Sequence, residues 1–200
     1  MEIMKTSKIL DNTVISAFLK EIPSVDLFEK CNSEFHLITS EKVHSEASKF
    51  FSKDKIAYSH VKVVKVKTRK AKRLLEYLKN RFPYLHEGEL TSFVVCLYKY
   101  KLQNKKYFYV TDDLRMKKVI SQIFSESDLK KYYDKTMGSV DDSFNFTGTI
   151  GLIIRLCEKG RISDLEILKI INDLRSSTFY VSEKLLKRLR RCNHEIKGAS

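Results

Sequence analysis

The residues best placed to do chemistry in this chain are acids that stand directly after apolar runs. Asp11 follows Ser7–Leu10, and the pair Asp112–Asp113 follows Tyr107–Val110 by way of Thr111. An acid at the carboxyl end of a buried strand lies on the edge where open α/β sheets bind their ligands. Glu46 and Glu89 fall on helical stretches after other runs, from which their side chains can turn toward the same edge. Carboxylates brought within ~4 to 6 Å raise one another's pKa and destabilise the fold, and a divalent cation resolves the conflict. Oxygen-only donors select a hard ion, Mg²⁺ or Mn²⁺, which can activate a water and neutralise a phosphodiester under in-line attack. The expected metal ligands are Asp11, Glu46 and Glu89, with Asp112 and Asp113 competing for the remaining position.

To bring these acids together, the chain must alternate strands and helices. The β-like runs Ser7–Leu10, His36–Thr39, His60–Val66 and Tyr107–Val110 are each followed by a helical pattern, as in an α/β fold with a mainly parallel sheet. The first helix carries Val14, Ile15, Phe18 and Leu19; the second starts at Ser40-Glu41, an N-cap signal, and includes Val43, Glu46 and Ala47. A basic helix places Ala71, Leu74, Leu75, Leu78 and Phe82 on one stripe and stops at Pro83. The next buries Leu90, Phe93, Val94 and Leu97, with Glu89 in its first turn, and Leu114 to Phe124 forms another. Ser125 to Lys135 reads as the least structured part, and Phe144 to Phe146 as a short edge strand. Gly148 to Cys157 is apolar nearly all round and predicts a buried helix, before two last helices at Asp164–Arg175 and Ser182–Cys192.

With 200 residues, 42% of them hydrophobic, the chain predicts one domain spanning residues 1–200. A net charge of +13 suits a polyanionic partner, although a Lys-rich surface alone would also produce it. The four cysteines, Cys31, Cys96, Cys157 and Cys192, have neither disulfide-framework nor zinc-finger spacing, and so read as buried apolar residues in a reducing compartment. No apolar run is long enough to span a bilayer, and the first residues lack a signal-peptide pattern. A soluble, cytoplasmic protein is expected.

The order of these segments resembles the PIN-domain nucleases. Ile9-Leu10-Asp11-Asn12-Thr13-Val14-Ile15 looks like their opening strand, ending in Asp with a supporting hydroxyl two places on. Leu37-Ile38-Thr39-Ser40 with Val43 and Glu46 resembles the second segment, which contributes a Glu from a helix. Gly88-Glu89-Leu90 is similar to the third segment as it stands in a subgroup with a Gly-Glu pair, whereas many PIN-domain nucleases place Asp in that segment. Tyr109-Val110-Thr111-Asp112-Asp113, with Arg115 and Lys117, resembles the fourth, and Thr147 to Leu152 the closing helix; the Thr-x-Asp alignment implies Asp113 beside Asp11, Glu46 and Glu89 as the catalytic set. The resemblance covers roughly residues 5 to 190 and rests on order and spacing. It implies a three-layer α/β/α sandwich, divalent-metal endoribonuclease activity on single-stranded or structured RNA, and frequent homodimers. It also implies, for many members, a role as the toxin neutralised by an antitoxin protein.

Plainer roles compete with these. Asp11 and Asp113 each precede a helix and can cap it, and Glu46 and Glu89 can be ordinary helix charges. Lys65, Lys67, Arg69, Lys70, Lys72 and Arg73 suit an RNA path or a solvated helix face equally. The basic residues beside Leu185, Leu186 and Leu189 read as a solvated face. A different class of function is a non-catalytic nucleic-acid-binding protein whose last two helices form a helix-turn-helix, and a third is a PIN fold that binds without cutting.

Overall fold

The structure is a computed structural model that describes residues 5–22, 25–50, 60–125 and 144–197. Five parallel strands form its sheet: β1 (Ser7–Leu10), β2 (His36–Ser40), β3 (Lys62–Val64), β4 (Tyr107–Val110) and β5 (Phe146–Thr147), in the order β3-β2-β1-β4-β5. The helices are α1 (Asn12–Ser16), α2 (Val25–Glu34), α3 (Glu41–Phe50), α4 (Arg69–Arg81), α5 (Glu87–Lys99), α6 (Leu114–Ser125), α7 (Thr149–Glu158), α8 (Asp164–Ser176) and α9 (Glu183–Lys197). A π-helical turn, Ala17–Glu21, extends α1 and buries Phe18 and Leu19.

Alternation along the strands divides the interior into two cores. Ile9, Ile38 and Tyr109 face α4, α5 and α6, whereas Leu10, Leu37 and Val110 face α1, α2, α7, α8 and α9. This is the expected α/β/α sandwich. The inner strands β1, β2 and β4 are covered on both faces and keep most of their side chains buried, whereas the edge strand β3 leaves Lys62 and Val63 exposed.

The structure differs from expectation in three places. Helix α2, for which the sequence pattern predicts no element, packs Leu27, Phe28 and Cys31 into the core. The edge strand pairs at Phe146–Thr147, slightly later than the expected Phe144 to Phe146. The most enclosed helix is α5, buried from Gly88 through Leu97, while α7 leaves Glu158 exposed and Arg155 half-buried. α5 tolerates enclosure because its interior hydroxyls are satisfied: Thr91 donates to the Glu87 carbonyl at 2.6 Å, and Ser92 to Ser40 Oγ at 3.0 Å. The stretch expected to be least structured, Ser125 to Lys135, lies outside the described residues from 126 onward.

The strand order places the site. The chain runs outward through β1, β2 and β3, then returns to add β4 on the other side of β1. The order therefore reverses between β1 and β4, and open α/β sheets bind ligands outside the carboxyl ends of strands at such a switch point. Asp11 leaves β1 there and Thr111-Asp112-Asp113 leaves β4, the two ends being joined by the Asp11 amide donating to the Val110 carbonyl at 3.1 Å.

Candidate active site

Asp11 is fully buried and has two duties. Its Oδ1 caps α1, accepting from the Val14 amide at 3.1 Å and from Thr13 Oγ1 at 2.6 Å. Its Oδ2 is buried without a hydrogen-bond partner, although the Thr111 hydroxyl is near enough to favour the charged form. Burial pushes the carboxyl up to about 6, against the Thr111 and Thr13 hydroxyls and the Val14 amide, and the charge of Asp112 adds to the rise. Thr13 also accepts from the Asp112 amide at 3.2 Å, so one hydroxyl fixes the loop after β1 to the loop after β4.

Glu89 enters from the first turn of α5 and is only 4% exposed. Its Oε2 accepts from the His86 amide at 3.2 Å, and its backbone carbonyl accepts from the Tyr109 hydroxyl of β4 at 3.1 Å. Burial, then the charges of Asp113 and Asp11, raise its pKa to about 7, while the His86 amide and Arg115 act the other way. Asp11, Glu89 and Asp113 thus share one electrostatic neighbourhood.

The two acids after β4 have different duties. Asp112 holds α7: Thr149 donates to it from its amide at 3.0 Å and from its hydroxyl at 2.5 Å. Burial raises its pKa and the Thr149 bonds oppose the rise. Asp113 caps α6 through the Arg115 and Met116 amides at 2.6 and 3.2 Å, and pairs with Arg115 Nη2 at 2.7 Å. Burial would raise its carboxyl, but the Arg115 side chain and the two amides outweigh it and the net shift is downward. Both caps anticipated for Asp11 and Asp113 are therefore present, alongside the shared field.

Glu46 is half-buried beside the start of α5, so close to Gly88 that a Cβ there would stand 2.6 Å from its Oε2. It is not among the groups that shift Asp11 or Glu89, which are burial and the other acids, hydroxyls, amides and Arg115. Glu87, next to it in space, turns outward onto Lys42 at 2.9 Å and Lys79 at 2.7 Å, which ties α5 to α3 and α4.

Several hydroxyls that the pattern of acids does not single out also line this edge. Thr39 donates to the Leu10 carbonyl at 3.1 Å, and Ser40 accepts from the Val43 amide at 3.2 Å, capping α3. Their signal is a polar residue closing each apolar run, Thr39-Ser40 and Thr111.

The donor chemistry fits a hard divalent cation. Every candidate ligand is a carboxylate, they repel one another, and the buried Oδ2 of Asp11 has a free accepting position. Asp11, Glu89 and Asp113 would hold the ion. Among the described residues no three His, Cys, Asp or Glu side chains form a ready cage, since Asp113 is turned onto Arg115 and Asp112 onto Thr149.

Fold and site define an α/β protein with buried carboxylates at the switch point of a five-stranded parallel sheet. Compared with known proteins, the chain matches no family model, and neither the curated proteins nor the solved structures yield a match.

Proposed function

We propose that the protein is a divalent-metal-dependent nuclease acting on RNA, with Asp11, Glu89 and Asp113 as the residues that hold Mg²⁺ or Mn²⁺. The observation that carries this reading is the fully buried Asp11 at the switch point, one carboxylate oxygen unpartnered, in the field of two further acids. A buried carboxylate left unpartnered is costly, and such cost is concentrated at functional sites. When bound, the cation supplies Lewis acidity toward a phosphodiester and a lowered pKa for water. The protein's own residues orient the acids: Thr13 and the Val14 amide fix Asp11, the His86 amide fixes Glu89, and Arg115 balances Asp113.

A polyanion has a surface to follow. Lys67, Arg69, Lys72 and Arg73 line a cleft of about 630 Å³ at the start of α4, with Glu76 and Tyr77 beside them. Phosphate contacts of this kind supply affinity without sequence selectivity. The choice of RNA, and the roles of toxin, antitoxin partner and homodimer, rest on the resemblance to PIN-domain nucleases.

The helix-turn-helix reading has less support. Six residues separate α8 from α9, more than the three or four of such a turn. α9 buries Leu186, Leu189 and Cys192 against α7, and its exposed basic residues form a solvated face. Among the described residues no helix is long and apolar enough to cross a membrane.

The test is cleavage of a labelled single-stranded RNA in Mn²⁺ or Mg²⁺, with EDTA and Asp11→Asn as controls. Cutting that needs the metal and falls at least 100-fold in the variant is expected, on the order of what loss of one preorganised electrostatic group costs. Equal rates for the variant and the wild type would remove Asp11 from the site.

A further inference from the structure

At the opposite, amino-terminal edge of the same central strands lies a second charged feature. Lys8 is the second residue of β1 and only 1% exposed, on the face that carries Leu10. Its Nζ stands 4.0 Å from the ring centre of Phe108 on β4 and 4.8 Å from that of Phe35. The rings attract the cation through their faces but supply no acceptor oxygen. Among the described residues no carboxylate reaches Lys8 within ion-pair distance.

Arg155 of α7 meets the same ring, with Cζ 3.9 Å from the centre of Phe108. A guanidinium lying over a ring engages its flat face and leaves its in-plane N–H donors for another group. Both side chains line a cleft of about 580 Å³ formed between the ends of α2 and α7. Lys159 and Arg161 also line it, but both are committed to Glu34, the Arg161 contact being 3.0 Å. Glu158, the other acid of the lining, lies 3.9 Å from Arg188. Five cations, Lys5, Lys8, Arg155, Lys159 and Arg161, thus line the cleft against two acids, Glu34 and Glu158, and of the acids only Glu158 acts on Arg155.

We infer that this cleft binds a phosphate monoester, with Lys8 and Arg155 as its anion-holding pair. A dianion matches the excess of cations over acids in this lining, and the in-plane donors of Arg155 suit the paired oxygens of a phosphate. The volume exceeds what a bare phosphate fills and leaves room for an organic portion of small-molecule size. The buried position of Lys8 separates this site from the exposed cations Arg69, Lys70, Lys72 and Arg73 of α4 and Lys184, Lys187 and Arg188 of α9. The inference is independent of the acidic site, which lies at the other end of the same strands.

The test is titration calorimetry of the wild type with inorganic phosphate and with ribose 5-phosphate. Ribose, and chloride at matched ionic strength, serve as controls. Saturable binding of both phosphates and none of ribose is expected, weakened at least tenfold in Lys8→Met and in Arg155→Gln and unchanged in Asp11→Asn. Arg155 is half-buried at the surface of α7, so its variant decides the matter even if Lys8→Met folds poorly. No saturable phosphate binding, or equal affinity in Arg155→Gln, would overturn the proposal. A 5′-phosphorylated oligoribonucleotide that competes better than its hydroxyl form would mark an RNA end as the source of the monoester. Absence of competition would mark a small molecule.

Discussion

Replacing Asp11 with Asn should make the metal-free protein more stable at neutral pH, by an amount that burial of the carboxylate sets. Raising the carboxyl from its ordinary 3.8 to about 6 corresponds to about 3 kcal/mol by which the charged form is disfavoured in the folded state. The pKa is higher folded than unfolded, so this penalty is absent below pH ~4, grows between ~4 and 6 and is constant above. Asn keeps an oxygen for the Thr13 hydroxyl and the Val14 amide. Its amide group replaces Oδ2, where no partner exists, and a buried unpaired donor costs about 1 to 3 kcal/mol at any pH. The net gain at pH 7.5 is therefore about 0 to 2 kcal/mol.

The sharper quantity is the change with pH, because the cost of the unpaired amide cancels. Between pH 4 and pH 7.5 the melting temperature of Asp11→Asn should rise relative to wild type by about 6 to 12 °C, at ~2 to 4 °C per kcal/mol for a chain of this size. Differential scanning calorimetry in EDTA measures it. Adding Mn²⁺ should then reverse the order at pH 7.5, because an ion at 100 times its Kd stabilises the wild type by about 2.7 kcal/mol and finds one ligand missing in the variant. A melting difference that ignores pH, or one that moves toward the wild type as pH rises, would refute the assignment of a buried, destabilising charge to Asp11.

Two further outcomes follow from the same geometry. Asp112→Ala removes the acceptor for the Thr149 amide and hydroxyl and should cost about 1 to 2 kcal/mol, as loss of a helix cap does, while the Mn²⁺ stabilisation persists; denaturant unfolding with and without the ion separates the two. Lys8→Met should be more stable than wild type at pH 7 and lose that advantage toward pH 10. Burial first, then the charges of Arg155 and Lys159, lower the Lys8 amine to about 7, so the wild type gains stability as pH rises from there toward the unfolded value. Urea titrations at pH 7 and pH 10 would show it, and parallel curves would count against a buried ammonium.

The inner strands were legible as short, largely apolar runs closed by a polar residue, each followed by a stretch of helical spacing that decided between strand and buried helix. Helix α2 was not: its buried side chains Leu27, Phe28 and Cys31 make a stripe of three, interrupted by charges, and only the cover it gives the sheet reveals it. Asp11 could be placed from position alone, since any acid that ends β1 must stand at the switch point. The duties of Asp112 and Asp113 could not, because they are fixed by Thr149, which is 37 residues from Asp112 in sequence, and by the rotamer of Arg115. Lys8 escaped notice for a related reason. In Ser7–Leu10 it looks like an exposed residue of an alternating strand, and only its place between β2 and β4 shows that both faces are covered.

Strand β1 therefore concentrates the fold's unfavourable electrostatics. It has four residues, pairs on both sides, and carries a buried ammonium near one end and a buried carboxylate just past the other. Their Cα atoms are about 10 Å apart at strand rise, too far for direct pairing, and Lys8 points with Leu10 toward the α7 face between two rings. A sequence under selection for stability alone would fill both positions with apolar or small polar residues, which the surrounding core would accept. Elsewhere the buried hydroxyls of Ser92 and Thr149 are hydrogen-bonded and the four cysteines are enclosed, while Asp173 keeps one buried carboxylate oxygen without a hydrogen-bond partner. Buried charges of opposite sign at the two ends of the central strand are what a chain shows when ligands of opposite charge, a cation at one edge and an anion at the other, complete its electrostatics.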